Sequence, residues 1–166
     1  MTSAYDTLHT ALLALERTGL AELVRGTPFL YPILMSLHVL GIALLLGPTV
    51  AVDLRLLGVA RDAVRVSTAT RHLLPLAHIG FVLVACTGAT MFIAIAAAVG
   101  ASAAAPWKLG LIVLAGLNIA VFHRGIYRHV ERWDIGVPTP ARARLAGLLS
   151  MACWTGVVFA GRFLAY

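Results

Sequence analysis

The feature that most constrains this chain is a run of 27 residues, Gly26 to Val52, that contains no Asp, Glu, Lys or Arg. A helix needs about 20 predominantly apolar residues to cross the hydrocarbon core of a bilayer, so this run can span it with some tilt. One titratable side chain, His38, lies inside the run. Because an ionisable group at membrane depth is costly, His38 is either a neutral imidazole hydrogen-bonded to a neighbouring helix or a functional group.

Composition agrees with a membrane protein. The 166 residues are 60% hydrophobic and 12% charged, whereas soluble domains carry about 25% charged residues. The net charge of +6 comes from arginines concentrated in two connectors, with no basic tail. An excess of Arg in a membrane protein usually reports topology. We therefore expect the lipid bilayer, and not a nucleic acid, as the partner of this chain.

Three further apolar segments follow the first one. The third of the four is the shortest, because only 15 residues separate Lys108 from Arg124, and it spans only if these side chains extend their charged heads to the interface. Short connections make consecutive spans antiparallel neighbours. The sequence therefore predicts an all-α fold, an integral membrane four-helix antiparallel bundle over residues 27–166, with spans at about residues 29–52, 74–99, 107–126 and 145–166.

The segment 1–26 is different in character. Leucines recur in it at helical spacing, but Glu16, Arg17 and Glu22 interrupt the apolar stripe. Such a segment is too polar to span and is typical of an amphipathic helix that lies on the membrane surface. We expect one interfacial helix to precede the bundle.

Loop charge predicts the orientation of the bundle. The connectors after the first and third spans hold nine of the thirteen basic residues, and the segment between the second and third spans has no charge before Lys108. Cytoplasmic loops of membrane proteins carry an excess of Lys and Arg. We expect a multi-pass protein of the inner (plasma) membrane with both Arg-rich connectors in the cytoplasm and both termini outside.

This topology sorts the polar groups of the spans into two candidate pairs. His38 and Lys108 would lie toward the outer side, and His78 and His123 toward the inner side. Axial histidines inside a helix bundle are how membrane b-type cytochromes hold haem. All four residues are therefore candidates for cofactor binding, while interfacial hydrogen bonds to headgroups or backbone are the alternative for His78 and His123.

A second group of residues carries side chains that are soft metal ligands. Met35 and His38 are three residues apart on one helix face, and Cys86 and Cys153 lie at similar depth on other spans. Thioether, thiolate and imidazole ligands suit copper(I). Met and Cys also fill apolar cores, so packing is the competing explanation for these residues.

Several short motifs resemble a known group of proteins. The chain is similar to a family of small four-span bacterial membrane proteins, itself distantly similar to CopD-type copper-resistance proteins and HemJ-type protoporphyrinogen oxidases. The similarity covers about residues 28–166. It is carried by SLHVLGIALLLGPTVAVDLRLLG at residues 36–58, the pair Thr87-Gly88, and APWKLGLIVLAGLN at residues 105–118.

The resemblance has an implication for the outer pair. In the HemJ group a histidine on the first span and a lysine just inside the third are associated with haem binding, and His38 and Lys108 occupy the matching positions. The chain departs from that group in its Asp53-Leu-Arg55 corner and at His78.

We therefore expect a haem-b-binding membrane protein that transfers electrons to a redox partner. His38 would be the main axial ligand and Lys108 its partner or a contact for a haem propionate. A CopD-like copper transport protein and a non-catalytic membrane partner or assembly subunit are the two alternatives.

Overall fold

A computed structural model describes the backbone of residues 4–164 and the side chains of residues 6–164. Within that range every regular element is helical, which confirms the predicted all-α class. The parts of the predicted surface helix and fourth span that fall on residues 1–3 and 165–166 lie outside the described residues. The elements are α1 (Ala4–Glu16), α2 (Gly19–Gly26), α3 (Leu30–Leu57), α4 (Val66–Ala94), α5 (Ala96–Ala101), α6 (Ala104–Arg124), a 3₁₀ helix (Ile126–Arg132) and α7 (Ala141–Phe163).

Four of these helices, α3, α4, α6 and α7, are long and apolar enough to cross a membrane. They form a bundle in which α3 packs against α4 and α7, and α7 packs against α6. The remaining side, between α4 and α6, has no comparable packing within the described residues. The predicted four-helix bundle is confirmed, but its fourth pair of neighbouring helices, α4 and α6, is not closely packed.

The observed helices differ from the predicted spans at their ends. The first helix continues five residues past the predicted end at residue 52, to Leu57, so the expected polar connector is shorter. The second helix begins at Val66 instead of about residue 74, and it ends at Ala94. Polar residues begin a helix as readily as apolar ones when their backbone N–H groups find a cap, so hydropathy alone places helix ends poorly.

The contact between α3 and α4 depends on two glycines. A Cβ built on Gly41 would lie 3.2 Å from the backbone nitrogen of Val84, and one built on Gly80 would lie 2.8 Å from the carbonyl oxygen of Gly41. Small residues allow such close approach of helix backbones inside membranes. As the residue number rises along α3, the facing number falls along α4, so the two helices are antiparallel.

The N-terminal segment forms two helices instead of the single surface helix predicted. Thr18 caps α2 by accepting a hydrogen bond from the Ala21 N–H at 3.4 Å, and this turn separates α2 from α1. The Arg25 guanidinium donates to the carbonyl oxygen of Ala94 at 2.7 Å, where α4 ends. The Glu16 carboxylate accepts from the Ala97 N–H at 2.8 Å. These bonds attach α1 and α2 to the junction of α4 and α5.

At the opposite end of the bundle, which we call the connector end, Arg55 joins the connectors 58–65 and 133–140. Its side chain is buried, and it donates to the carbonyl oxygens of Val64 at 2.5 Å and Asp134 at 2.8 Å. The Asp134 carboxylate in turn accepts from the N–H and the hydroxyl of Ser67, both at 2.8 Å. Asp134 therefore caps the start of α4 from a distant part of the chain.

This cap has a predictable pH dependence. Burial alone would raise the pKa of the Asp134 carboxyl, but hydrogen bonds from Ser67 and the charge of Arg65 outweigh it and hold that pKa below its ordinary value. A carboxylate with a lowered folded pKa stabilises the fold above its unfolded pKa, about 3.9, and this stability is lost as the pH falls through the folded pKa. We expect Asp134→Asn to lower the thermal midpoint at neutral pH, and the difference from the wild type to shrink in acid.

The exposed Asp62, which pairs with Arg61 at 3.3 Å, offers the matched control. Asp62→Asn should change the midpoint little at any pH, because exposed ion pairs contribute little to stability. Equal losses in both variants, or a loss in Asp134→Asn that does not diminish in acid, would contradict the capping role.

Candidate functional site

His38 lies in the third turn of α3, and its ring is held by α4. The Nδ1 atom is 2.9 Å from the hydroxyl oxygen of Thr87, and that hydroxyl is 2.6 Å from the carbonyl oxygen of Leu83. A hydroxyl has one hydrogen, and the carbonyl can only accept it, so the Thr87 oxygen is left as an acceptor for His38. The imidazole is therefore held with its proton on Nδ1 and its lone pair on Nε2.

The backbone around Thr87 agrees with this tautomer. The Thr87 hydroxyl also lies 3.4 Å from the carbonyl oxygen of Val84, which is a second acceptor for its hydrogen. Metal-bound histidines commonly donate their other ring N–H to an acceptor, which fixes the tautomer and the ring orientation. His38 thus has the hydrogen bonding that a ligand histidine needs, and the same bonds also satisfy a purely structural histidine.

Glycines lie beside both members of the predicted outer pair. A Cβ built on Gly88 would lie 3.0 Å from Cε1 of His38, and one built on Gly161 would lie 3.5 Å from Nζ of Lys108. Both side chains are half-buried. The glycines beside them belong to different helices, Gly88 to α4 and Gly161 to α7, so a joint site of His38 and Lys108 stays a prediction.

A cavity with a volume of about 250 Å³ lies within the bundle. All four long helices contribute to its lining, which is mainly apolar. His38 and Lys108 do not line it. The main apolar side chains of the cavity are Leu45, Leu74, Phe81, Ile112, Phe122 and Trp154.

A buried carboxyl group faces this cavity. Asp53, in the last two turns of α3, is only 5% exposed and lines the cavity. Its Oδ2 atom has no hydrogen-bond partner within the described residues, while Ser150 of α7 lies within hydrogen-bonding range of the same carboxyl. Nearby, the Asn118 amide donates to the carbonyl oxygen of Ala146 at 2.9 Å. The apolar cavity therefore has a polar side toward the connector end.

The predicted inner pair lies at this cavity. Both His78, which is exposed, and His123, which is half-buried, belong to the lining. Nδ1 of His123 is 3.0 Å from the carbonyl oxygen of Ile119, so its proton lies on that nitrogen, and its ring lies 5.0 Å from that of Tyr127. The structure therefore places both histidines at one cavity, and their role in cofactor binding stays a prediction.

The structure does not gather the copper ligands proposed from sequence. Met35 and Cys86 are exposed, whereas Cys153 is buried on α7. The helices of the two cysteines, α4 and α7, are not among the closely packed pairs. Residues 4–164 contain no group of three His, Cys, Asp or Glu side chains arranged to hold a metal ion.

Sequence reasoning missed the polar residues that build both sites. It placed Asp53 in a polar connector, although the helical spacing of Leu54, Leu57 and Ala60 also indicates a helix that continues past the membrane surface. The helix α3 does continue through Asp53, and the fold buries this side chain. It assigned no role to Thr87, Asn118 or Ser150. A hydroxyl or amide in an apolar run is a weak signal, because such a side chain often bonds only to the preceding turn of its own helix.

In comparisons with known proteins, no family model, no curated protein and no solved structure matches this chain. The assignment of function therefore depends on the geometry of the residues described above.

Proposed function

We propose that this protein binds haem b in the bacterial inner (plasma) membrane and transfers electrons to a redox partner, with His38 as the main axial ligand. The observation that supports this most directly is the hydrogen bond from Nδ1 of His38 to Thr87 at 2.9 Å. It leaves the Nε2 lone pair free, and neutral imidazole nitrogen is a common axial ligand of haem iron.

Small residues lie beside both His38 and Lys108. Gly88 and Gly161 present only hydrogen atoms next to His38 and Lys108, where a Cβ would come within 3.0 Å and 3.5 Å respectively. Lys108 would act as the partner of His38 or pair with a haem propionate, because an ammonium group binds carboxylates well where water is scarce. Bound haem would supply one-electron chemistry, and the bundle would tune its potential through the axial ligand and burial.

The arrangement of charge supports the proposed orientation. The two connectors that meet at Arg55 and Asp134 belong to the Arg-rich segments that hold nine of the thirteen basic residues. Under the positive-inside rule the connector end is cytoplasmic. The termini and the outer pair, His38 and Lys108, then lie on the other side of the membrane centre.

Titration of the purified protein with haem b tests the role of the Thr87 hydroxyl. Thr87→Val keeps the shape of the side chain and removes the acceptor for Nδ1 of His38. Loss of such a hydrogen bond to a metal ligand typically weakens binding 10–100-fold. We expect haem affinity to fall about tenfold, the lower end of that range, because His38 itself remains in place as the ligand.

Thr90→Val is the matched control. Thr90 lies one turn further along α4, and its hydroxyl donates to the carbonyl oxygen of Cys86 at 2.8 Å. This variant should bind haem as the wild type does. Equal affinity in Thr87→Val and Thr90→Val would contradict the assigned tautomer, and absence of haem binding in the wild type would leave a structural role for His38.

A further inference from the structure

The cavity within the bundle contains polar groups that the haem proposal does not use. Asp53 is more than nine-tenths buried, and its Oδ2 atom has no hydrogen-bond partner within the described residues. Leaving a buried polar atom unpaired is costly. Asp53 lines an open cavity, so a ligand in that cavity can bring a polar group to its carboxyl group.

The neighbouring polar groups define what the ligand must offer. The Thr49 hydroxyl donates to the carbonyl oxygen of Leu45 at 2.7 Å, and the Asn118 amide donates to Ala146 at 2.9 Å. The Thr49 hydrogen and one of the two Asn118 amide hydrogens are therefore engaged within the protein. The second Asn118 hydrogen and the oxygen atoms of Asp53 and Thr49 remain, so the complementary group on a ligand is a hydroxyl, which can both donate and accept.

The side chains that line the cavity indicate the chemistry of the apolar part of the ligand. Phe81, Phe122 and Trp154 line the cavity, and aromatic rings pack well against other flat rings. A cavity of about 150 Å³ with apolar walls is known to hold benzene. The volume of about 250 Å³ here accommodates a larger ring system.

The route of entry follows from the packing of the bundle. Both α4 and α6 line the cavity, the edge between these two helices lacks close packing, and His78 in the lining is exposed. In a bilayer that edge faces lipid, so a molecule dissolved in the membrane can reach the cavity sideways.

We propose that this cavity binds a membrane-soluble aromatic alcohol, whose ring lies between the aromatic walls and whose hydroxyl donates to the carboxyl group of Asp53. The site is separate from His38 and Lys108, and its occupancy does not require haem.

The test compares 2-naphthol with naphthalene, which differs from it by the hydroxyl. Binding to the full-length protein in detergent micelles is measured by equilibrium dialysis against protein-free micelles, which corrects for partition into detergent. Leaving a buried polar group without its hydrogen-bond partner corresponds to an affinity difference of about tenfold or more. We expect the wild type to bind naphthol at least about tenfold more tightly than naphthalene, and Asp53→Leu to bind the two equally.

Two glycines of α6 provide a second comparison that does not depend on Asp53. A Cβ on Gly116, in the cavity lining, meets no atom within 4 Å, and the same holds for Gly110, which lies outside the lining. Gly116→Phe should fill the cavity and abolish binding of both probes, whereas Gly110→Phe should bind them as the wild type does.

Two results would overturn the proposal. One is equal binding of naphthol and naphthalene by the wild type, which would remove the hydroxyl as the recognised group. The other is wild-type binding by Gly116→Phe, which would place the bound molecule outside this cavity.

Discussion

Gly80→Ala is expected to lower the free energy of unfolding by about 3 kcal/mol, the upper part of the usual range for overpacking. The new Cβ would lie 2.7 Å from the carbonyl carbon of Leu44 and 2.8 Å from the carbonyl oxygen of Gly41, and closer still to the backbone nitrogen of Leu45. These are backbone atoms of a helix, so they cannot rotate away as a side chain can. The helices α3 and α4 must separate, and the loss is measured by denaturant titration in mixed micelles.

Gly47→Ala, on α3, is the control for the change in helix propensity. A Cβ at Gly47 meets no atom within 4 Å, and alanine favours a helix by about 0.8–1 kcal/mol over glycine. This variant should be as stable as the wild type or slightly more stable. If Gly80→Ala were equally stable, the backbones of α3 and α4 would not approach each other as described.

His38→Ala is expected to remove bound haem entirely. Alanine has no ligand atom, and the described residues contain no second histidine in contact with Thr87 that could replace it. Because an axial ligand supplies the bond to the iron, its loss should reduce the haem content of the purified protein from about one per chain to near zero. Haem content per chain, measured after purification from cells supplied with haem, reports the result.

The exposed His72 is the matched control on α4. His72→Ala removes one imidazole from the chain but none from the bundle interior, and it should retain the haem content of the wild type. If His38→Ala also retained it, haem would be bound elsewhere, and His38 would serve only to hydrogen-bond α3 to α4.

The membrane architecture was predictable because it follows from long runs without charge. The run from Gly26 to Val52 is by itself long enough to predict a membrane span. Short connections between consecutive spans then predict an antiparallel bundle. Helix ends were harder to predict from the sequence, because the cap of α4 comes from Asp134, 67 positions beyond Ser67. No local pattern contains such a contact.

Each candidate site could likewise be predicted only in part from the sequence. The intramembrane position of His38 is visible in the sequence, but the partner that fixes its tautomer, Thr87, lies 49 positions away on another helix. Asp53 looked like the start of a polar loop because a charge usually ends an apolar run, and only the packing of α3 against α7 buries it. Long-range packing therefore determines which polar residues form a site.

The visible absorption spectrum of the wild-type protein, purified in detergent from cells supplied with haem, tests the central proposal most directly. The lone pair on Nε2 of His38 predicts a Soret band that remains with the protein through purification, in the proportion of about one haem per chain. A wild-type protein that purifies folded but without a Soret band, and does not acquire one when haem is added, would contradict the proposal.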